Sequence, residues 1–226
     1  ERRINEQQKN FLLSITHELK TPLASTKLNV QTIQKRSLSE DQRNMLLDNI
    51  QSDTSRLSVL INNILQVTQL DQRNYQLSIT KFNLVELVGK LIQRHQLVFP
   101  KAIITSVLPK ELFIEADIDA MDTIIGNLIH NACKYGSESA QVFVSITEED
   151  ETIILSVEDD GVGIPMDKRQ DVFNRFVRLG NEETRSVQGT GIGLYLVKHF
   201  IELQNGSVKI KDSSMGGAKF EIELKK

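Results

Sequence analysis

Apolar positions recur at helical spacing through the first third of the chain and change period after it. Leu46, Ile50, Leu57, Leu60, Ile64 and Val67 follow the alternating steps of four and three of a heptad seam, with polar Asp53 interrupting it. Leu47, Ile61 and Leu65 widen that stripe, and a stripe so wide serves more than one neighbour. Upstream, Leu12, Ile15, Leu19, Leu23, Val30 and Ile33 fall within an arc of roughly 80° when placed at about 100° per residue. Between the two stripes Ser39 can cap a helix start, with acidic Glu40 and Asp41 in the first turn. The pattern predicts two helices of roughly 30 residues joined by a short turn near 37–40. Such a hairpin buries little surface alone, so it is expected to dimerise into a four-helix bundle.

From about Tyr75 the grammar is mixed. Short strands are expected over Leu77–Phe82, Ile103–Val107, Leu112–Ala116, Gln141–Thr147 and Thr152–Val157, with an acidic turn over Glu148–Glu151. Leu84, Leu87, Val88, Leu91 and Ile92 have helical spacing. A second helix runs through Ile124, Ile125, Leu128, Ile129 and Ala132 to about Gly136, and a third covers Gly191–Gln204. Val208–Ile210 and Lys219–Leu224 close the chain as a hairpin. The fold class is α+β: a helical hairpin, then a layered domain with helices against one face of a mostly antiparallel sheet. Glycine usage marks the same division. All 12 Gly lie from Gly89 onward, which places the domains at 1–74 and 75–226.

Composition narrows the class. The 226 residues are 39% hydrophobic and 25% charged, ordinary for a chain that buries a core. Net charge is −3 without a basic block, so nothing asks for nucleic acid. No apolar run approaches the roughly 18 residues of a membrane span, and the polar start is not a signal peptide. The lone Cys133 has no partner for an internal disulfide. The abrupt start in helical sequence suggests a fragment of a longer chain.

His17 sits about 160° from the centre of the first helix's apolar stripe, facing solvent. Thr21 follows one turn later on that side, Glu18 is adjacent, and Pro22 should bend the helix just beyond. His17-Glu18 begins like the zinc-protease pattern H-E-x-x-H, but its second ligand position holds Thr21, so the metal reading fails. A neighbouring carboxylate can take the imidazole Nδ1 proton and raise the nucleophilicity of Nε2. Asn127 and Asn131, at i and i+4, share a helix face, where amide oxygens suit a hard cation such as Mg²⁺. Asp159-Asp160-Gly161-Val162-Gly163-Ile164 follows a strand. Gly189-Thr190-Gly191-Ile192-Gly193-Leu194 opens a helix whose backbone N–H groups favour anions. It is neither a Walker A loop nor, lacking the βαβ context, a Rossmann fingerprint.

Ser14–Leu23 resembles the phosphoacceptor box of the sensor histidine kinases, residue for residue through H-E-x-K-T-P-L. The other motifs follow in that family's order: an asparagine box at Asn127–Tyr135, a first glycine box at Asp159–Ile164, an F-x-R-F-x-R segment at Phe173–Arg178 and a second glycine box at Gly189–Leu194. The resemblance covers nearly the whole chain and implies the cytoplasmic core of a two-component kinase, with an ATP-binding sandwich of the histidine kinase/gyrase type. It implies His17 as phosphoacceptor, Glu18 as general base, and Thr21 as the residue orienting water for regulator dephosphorylation. It implies Asn131, with Asn127, as Mg²⁺ ligand, Lys134 on a phosphate, Tyr135 beside the nucleoside, and Asp159 on the adenine amino group. Gly161, Gly163, Ile164, Gly189, Thr190, Gly191, Ile192, Gly193 and Leu194 would line the nucleotide, and Arg178, with Arg175, would meet phosphate. The phenylalanines would anchor a lid, expected to be mobile between about 166 and 190. The implied partners are a second copy of the chain and a response regulator, and the implied setting is the cytoplasmic portion of an inner-membrane sensor. Two departures stand out: Asp160 where many relatives have Asn, and Ala218 where the family has a Ser or Thr beside the adenine site. A gyrase-type ATPase that uses ATP only as a clamp would share the nucleotide boxes but has no use for the His17 segment. A non-catalytic dimeric module would not need Asn131, Asp159 and both glycine boxes.

Overall fold

The structure, a computed structural model, describes residues 2–71, 75–178 and 190–226. They divide into a helical unit and an α/β unit that begins at Tyr75 and includes Gly193–Lys226. The helical unit is a hairpin of α1 (Arg2–Lys35) and α2 (Glu40–Asp71). Its turn is closed by a reciprocal cap: the Gln42 N–H donates to Ser39 Oγ (3.3 Å) and the Ser39 N–H donates to Gln42 Oε1 (3.1 Å). Ser39 is thus the cap expected from the sequence, and Gln42 completes a capping box. Helix α1 continues through Pro22 without interruption. Along α2, Leu60 and Val67 are buried, while Leu46, Ile50, Asp53, Leu57 and Ile64 are half-covered. Much of the apolar stripe stays open: Leu12, Leu23, Leu47, Ile61 and Leu65 are all exposed.

The α/β unit is built on a five-stranded sheet in the order β2-β4-β5-β7-β6, formed by β2 (Ile103–Val107), β4 (Gln141–Glu148), β5 (Thr152–Asp159), β6 (Ser207–Asp212) and β7 (Ala218–Lys225). Three pairings are antiparallel, as expected. The β2–β4 pair is parallel, because the connection between these strands crosses over through α4 (Ile118–Tyr135); α3 (Leu84–Val98) precedes β2. A separate two-stranded ribbon pairs β1 (Ile79–Asn83) with β3 (Phe113–Asp117), antiparallel. Strand parity sets the core. Val142, Val144 and Ile146 on β4 lie opposite Asp159, Val157 and Leu155 on β5, and Val157 and Leu155 lie opposite Phe220 and Ile222 on β7. All these apolar side chains are buried, and α3, α4 and α5 (Gly193–Leu203) bury Leu84, Leu91, Ile124, Leu128, Leu196 and Phe200 with them. The same parity that buries Val157 puts Asp159 on the core side, at the end of its strand, and Glu158 on the opposite face.

Helix α4 is fixed at both ends. At its start, Asp117 Oδ1 accepts the N–H groups of Asp119 (3.0 Å) and Ala120 (2.9 Å), an N-cap worth about 1 kcal/mol. At its end, the Gly136 N–H donates to the Ala132 carbonyl (3.1 Å). Leu128, in its middle, is fully buried. Leu128→Ala is expected to destabilise the α/β unit by about 2–5 kcal/mol, read as a lowered urea midpoint with the helical signal of the hairpin retained.

Candidate functional site

In the helical unit His17 is exposed, as the wheel predicts. The Thr21 hydroxyl donates to the His17 carbonyl (3.1 Å), so its position is fixed on the turn that carries the imidazole. Glu18 lies elsewhere. Its side chain is 10% exposed and its Oε2 is 3.5 Å from Arg56 Nη2 on α2. Successive helical residues diverge by about 100°, and here that turns Glu18 across the hairpin instead of alongside the imidazole.

In the α/β unit the candidate residues converge where the end of α4, the end of β5 and the start of α5 meet. Asn127 and Asn131 lie on one face of α4, both half-buried. Asn127 Nδ2 donates to the Thr123 carbonyl (2.8 Å), which fixes the amide and turns its oxygen toward α5. Gly193 admits that oxygen: a Cβ there would stand 2.6 Å from Asn127 Oδ1. The Asn131 amide makes no hydrogen bond among the described residues. Lys134 Nζ lies 5.5 Å from the centre of the Tyr135 ring, and Tyr135 is exposed at the end of the helix.

Asp159, 6% exposed, is the buried carboxylate of this region. Its Oδ1 accepts the N–H groups of Gly161 (2.9 Å) and Ala218 (3.1 Å). Burial raises its pKa above the usual carboxylate value, and these two amides, Ala218 first, offset part of that effect; the Asp160 charge adds to the rise. Ala218, where the family has a hydroxyl side chain, therefore still contributes through its backbone. Asp160 turns the other way, accepting from Ser137 Oγ (2.8 Å) and the Ser137 N–H (3.2 Å), and so ties the first glycine box to the chain leaving α4. Desolvation raises the Asp160 pKa, but the hydrogen bonds, that of the Ser137 hydroxyl foremost, outweigh it and hold the carboxyl below its usual value. An acceptor-only carboxylate suits two donors better than an amide would.

Gly163 has φ +67°, and half-buried Ile164 accepts at its carbonyl from Arg169 Nε (3.1 Å). Arg169 also reaches the Ile210 carbonyl (3.4 Å) and pairs with Asp212, pinning the segment after the first glycine box to β6. Of the F-x-R-F-x-R segment, Phe173 is buried. The Arg175 guanidinium stacks 4.6 Å from the Tyr195 ring centre and donates to the Tyr195 hydroxyl (2.5 Å), so it is held on α5. Arg178 is half-buried. Thr190, Gly191 (φ +70°) and Ile192 precede α5, and Gly193 and Leu194 open it. Gly189 and the rest of the stretch 179–189 of the expected lid lie outside the described residues. Asp160–Ser137 and the Arg169 clamp escaped the sequence reading, because their partners are 23 and 43 residues away and follow no periodicity.

No group of three or more His, Cys, Asp or Glu side chains among the described residues is placed to hold a metal ion. The amide oxygens of Asn127 and Asn131 nevertheless fit Mg²⁺. That ion takes oxygen ligands, few of them from protein when phosphates supply the rest, and the Asn131 amide is uncommitted.

Comparison with known proteins agrees with this arrangement. Residues 116–226 match the family described as histidine kinase-, DNA gyrase B-, and HSP90-like ATPase, and residues 7–73 match the His Kinase A (phospho-acceptor) domain. These define an ATPase-type α/β domain following a phosphoacceptor hairpin. The chain belongs to the sensor histidine kinases. It is 29% identical over 211 residues to the sensor histidine kinase WalK of Bacillus subtilis, covering 91% of this chain and 34% of that protein. It is 28% identical over 214 residues to a sensor protein kinase WalK of Staphylococcus aureus, covering 92% of this chain and 51% of that protein. The chain thus spans about a third to a half of these relatives. Among solved structures, full-length ShkA in complex with AMPPNP superposes with a TM-score of 0.64 at 25% identity, over 94% of this chain and 44% of that one. The Acinetobacter baumannii histidine kinase AdeS gives 0.61 at 22% identity, over 92% and 97%. The expected fold class, a helical hairpin followed by a histidine kinase-type sandwich, is the one observed.

Gly217 offers a direct test of the carboxylate cradle, since a Cβ there would lie 2.1 Å from Asp159 Oδ1 and 2.4 Å from the Asp159 carbonyl. Gly217→Ala is expected to weaken binding of a fluorescent adenine nucleotide by about tenfold or more, with the sheet still folded by circular dichroism.

Proposed function

We propose that this chain is an ATP:protein-histidine phosphotransferase core that phosphorylates His17 and passes the phosphate to an aspartate of a response regulator. The observation that supports it best is the pairing of an exposed, motif-matched His17 with a separate unit in which Asn127, Asn131 and Asp159 converge. Residues 1–74 serve as the dimerisation and phosphotransfer domain and 75–226 as the catalytic domain. The open stripe of Leu12, Leu23, Leu47, Ile61 and Leu65 supports a four-helix bundle with a second copy. No described helix is long and apolar enough to cross a membrane. The setting is the cytoplasmic portion of an inner-membrane sensor, by analogy with the family.

The chemistry asked of the protein is mostly positioning and charge neutralisation. Asp159, its Oδ1 engaged by two amides, presents Oδ2 to the adenine amino group and so favours adenine over guanine. Tyr135 stacks beside the nucleoside. Lys134 and Arg178 neutralise phosphate charge, and the glycine-box residues Gly161, Gly163, Ile164, Gly189, Thr190, Gly191, Ile192, Gly193 and Leu194 line the nucleotide. Arg175, held on Tyr195, orders the lid's base and reaches phosphate only by leaving that ring. Asn131 and Asn127 would hold Mg²⁺, which would supply screening of the triphosphate charge. His17 Nε2 attacks the γ-phosphorus in line while the bond to ADP breaks. Glu18 leaves Arg56 and takes up the Nδ1 proton, keeping the imidazole nucleophilic. Thr21, beside His17, orients water for dephosphorylating the regulator.

Incubation with γ-labelled ATP is expected to give acid-labile, base-stable protein phosphate. His17→Ala should abolish it, and Asn131→Ala should abolish it while leaving the dimer intact. Label that persists in His17→Ala contradicts the phosphoacceptor assignment, and unchanged labelling in Asn131→Ala contradicts the metal assignment.

A further inference from the structure

The Asp117 carboxylate is buried and accepts four hydrogen bonds. Its Oδ1 caps α4. Its Oδ2 accepts the Ser78 N–H (2.8 Å) and the Tyr75 hydroxyl (3.2 Å). Four bonds fill the acceptor capacity of a carboxylate. The Asp117 N–H in turn donates to Gln204 Oε1 (2.9 Å), just beyond α5. Tyr75 is held a second way: its ring lies 4.8 Å from that of Phe200, a fully buried residue of α5. Burial, and then the Asp117 charge, raise the Tyr75 pKa well above that of a free phenol, so the hydroxyl stays a donor. One side chain thus joins the first residue after the interdomain linker to the start of the helix that carries Asn127, Asn131, Lys134 and Tyr135.

We propose that Tyr75 and Asp117 form a latch that sets the length of the tether between phosphoacceptor hairpin and ATP-binding domain, making Tyr75 a positioning residue for phosphotransfer. The inference rests on the histidine kinase reading above. With the latch closed, four Cα steps separate Asp71, the end of α2, from the anchored Tyr75, an upper limit of about 13–14 Å. With the latch open and the Ser78 N–H released from the same Oδ2, the first fixed point is the start of β1 at Ile79, and the upper limit grows to about 26–29 Å. The local concentration of one tethered domain at the other falls roughly as the −3/2 power of tether length, so doubling the length between the two anchor points lowers it about threefold. The nucleotide site itself is untouched, because the α4 cap uses the other carboxylate oxygen. Sequence alone could not expose this: Tyr75 and Asp117 are 42 residues apart and match no motif.

The test compares Tyr75→Ala and Tyr75→Phe with the wild-type chain, and with the wild type carrying a four-residue Gly-Ser insertion after Asn74. Tyr75→Ala is expected to slow His17 labelling at saturating ATP by about two- to threefold, with affinity for a fluorescent ATP analogue unchanged. Tyr75→Phe, which keeps the ring on Phe200, should recover part of the loss. The insertion should reproduce the fall, and adding it to Tyr75→Ala should cost less than it does in the wild type. An unchanged or faster rate in Tyr75→Ala, or a fall that tracks weaker nucleotide binding, overturns the latch. Amide exchange separates this from failure of the kinase reading. In Tyr75→Ala the Ser78 amide should exchange faster while α4 keeps its protection, whether or not the wild type labels His17, and wild-type protection at Ser78 overturns the latch.

Discussion

The placement of α4 is the constraint on which the rest of the ATP-binding unit depends. Four of the expected nucleotide contacts sit on this helix, and a helix can present them only if its ends and axial rotation are fixed. Asp117 fixes the start and the Gly136–Ser137–Asp160 connection fixes the end, while Ile124, Leu128 and Ile129 bury its other face without residual exposure. A buried apolar stripe sets the rotation, because turning the helix by one residue would expose those side chains and bury the asparagines. The cost of burying them without partners, of the order of a few kcal/mol for each amide, favours the observed face.

The sheet imposes the complementary constraint. Because side chains alternate along β5, the register that puts Val157 and Leu155 into the core puts Asp159 there too, at the strand's last position. A carboxylate so placed would be costly alone. The amides of Gly161 and Ala218 stabilise it, and Gly217 is the residue that lets the backbone come close enough to do so. The glycines around the site are thus tied to particular close approaches: Gly217 to Asp159, Gly193 to Asn127.

Most of the architecture was legible because it rests on local pattern. The heptad seam of α2, the Ser39 cap, the strand boundaries of β2 and the end of α4 near Gly136 all follow from spacing or capping chemistry within a few residues. The parallel pairing of β2 with β4 and the β1–β3 ribbon were not, since a five-residue strand carries no mark of its partner. The same limit governed the site. His17, Asn127, Asn131 and Asp159 stand in contiguous motifs. Asp117, Arg169 and Ser137 act across tens of residues and were not singled out. Glu18 shows a different limit: adjacency to His17 in sequence suggested contact, whereas helical rotation directs it to Arg56.

On the proposed reading each unit carries half of a reaction, and phosphate travels from the nucleotide to His17. Mapping that phosphate is the most direct measurement. After incubation with ATP and Mg²⁺, tandem mass spectrometry under neutral conditions, with phosphorus NMR of the intact protein, should place one phosphoryl group on Nε2 of His17. Phosphate on Nδ1, on another histidine or on a hydroxyl side chain, or ATP turned over to free phosphate with His17 unmodified, would contradict the account.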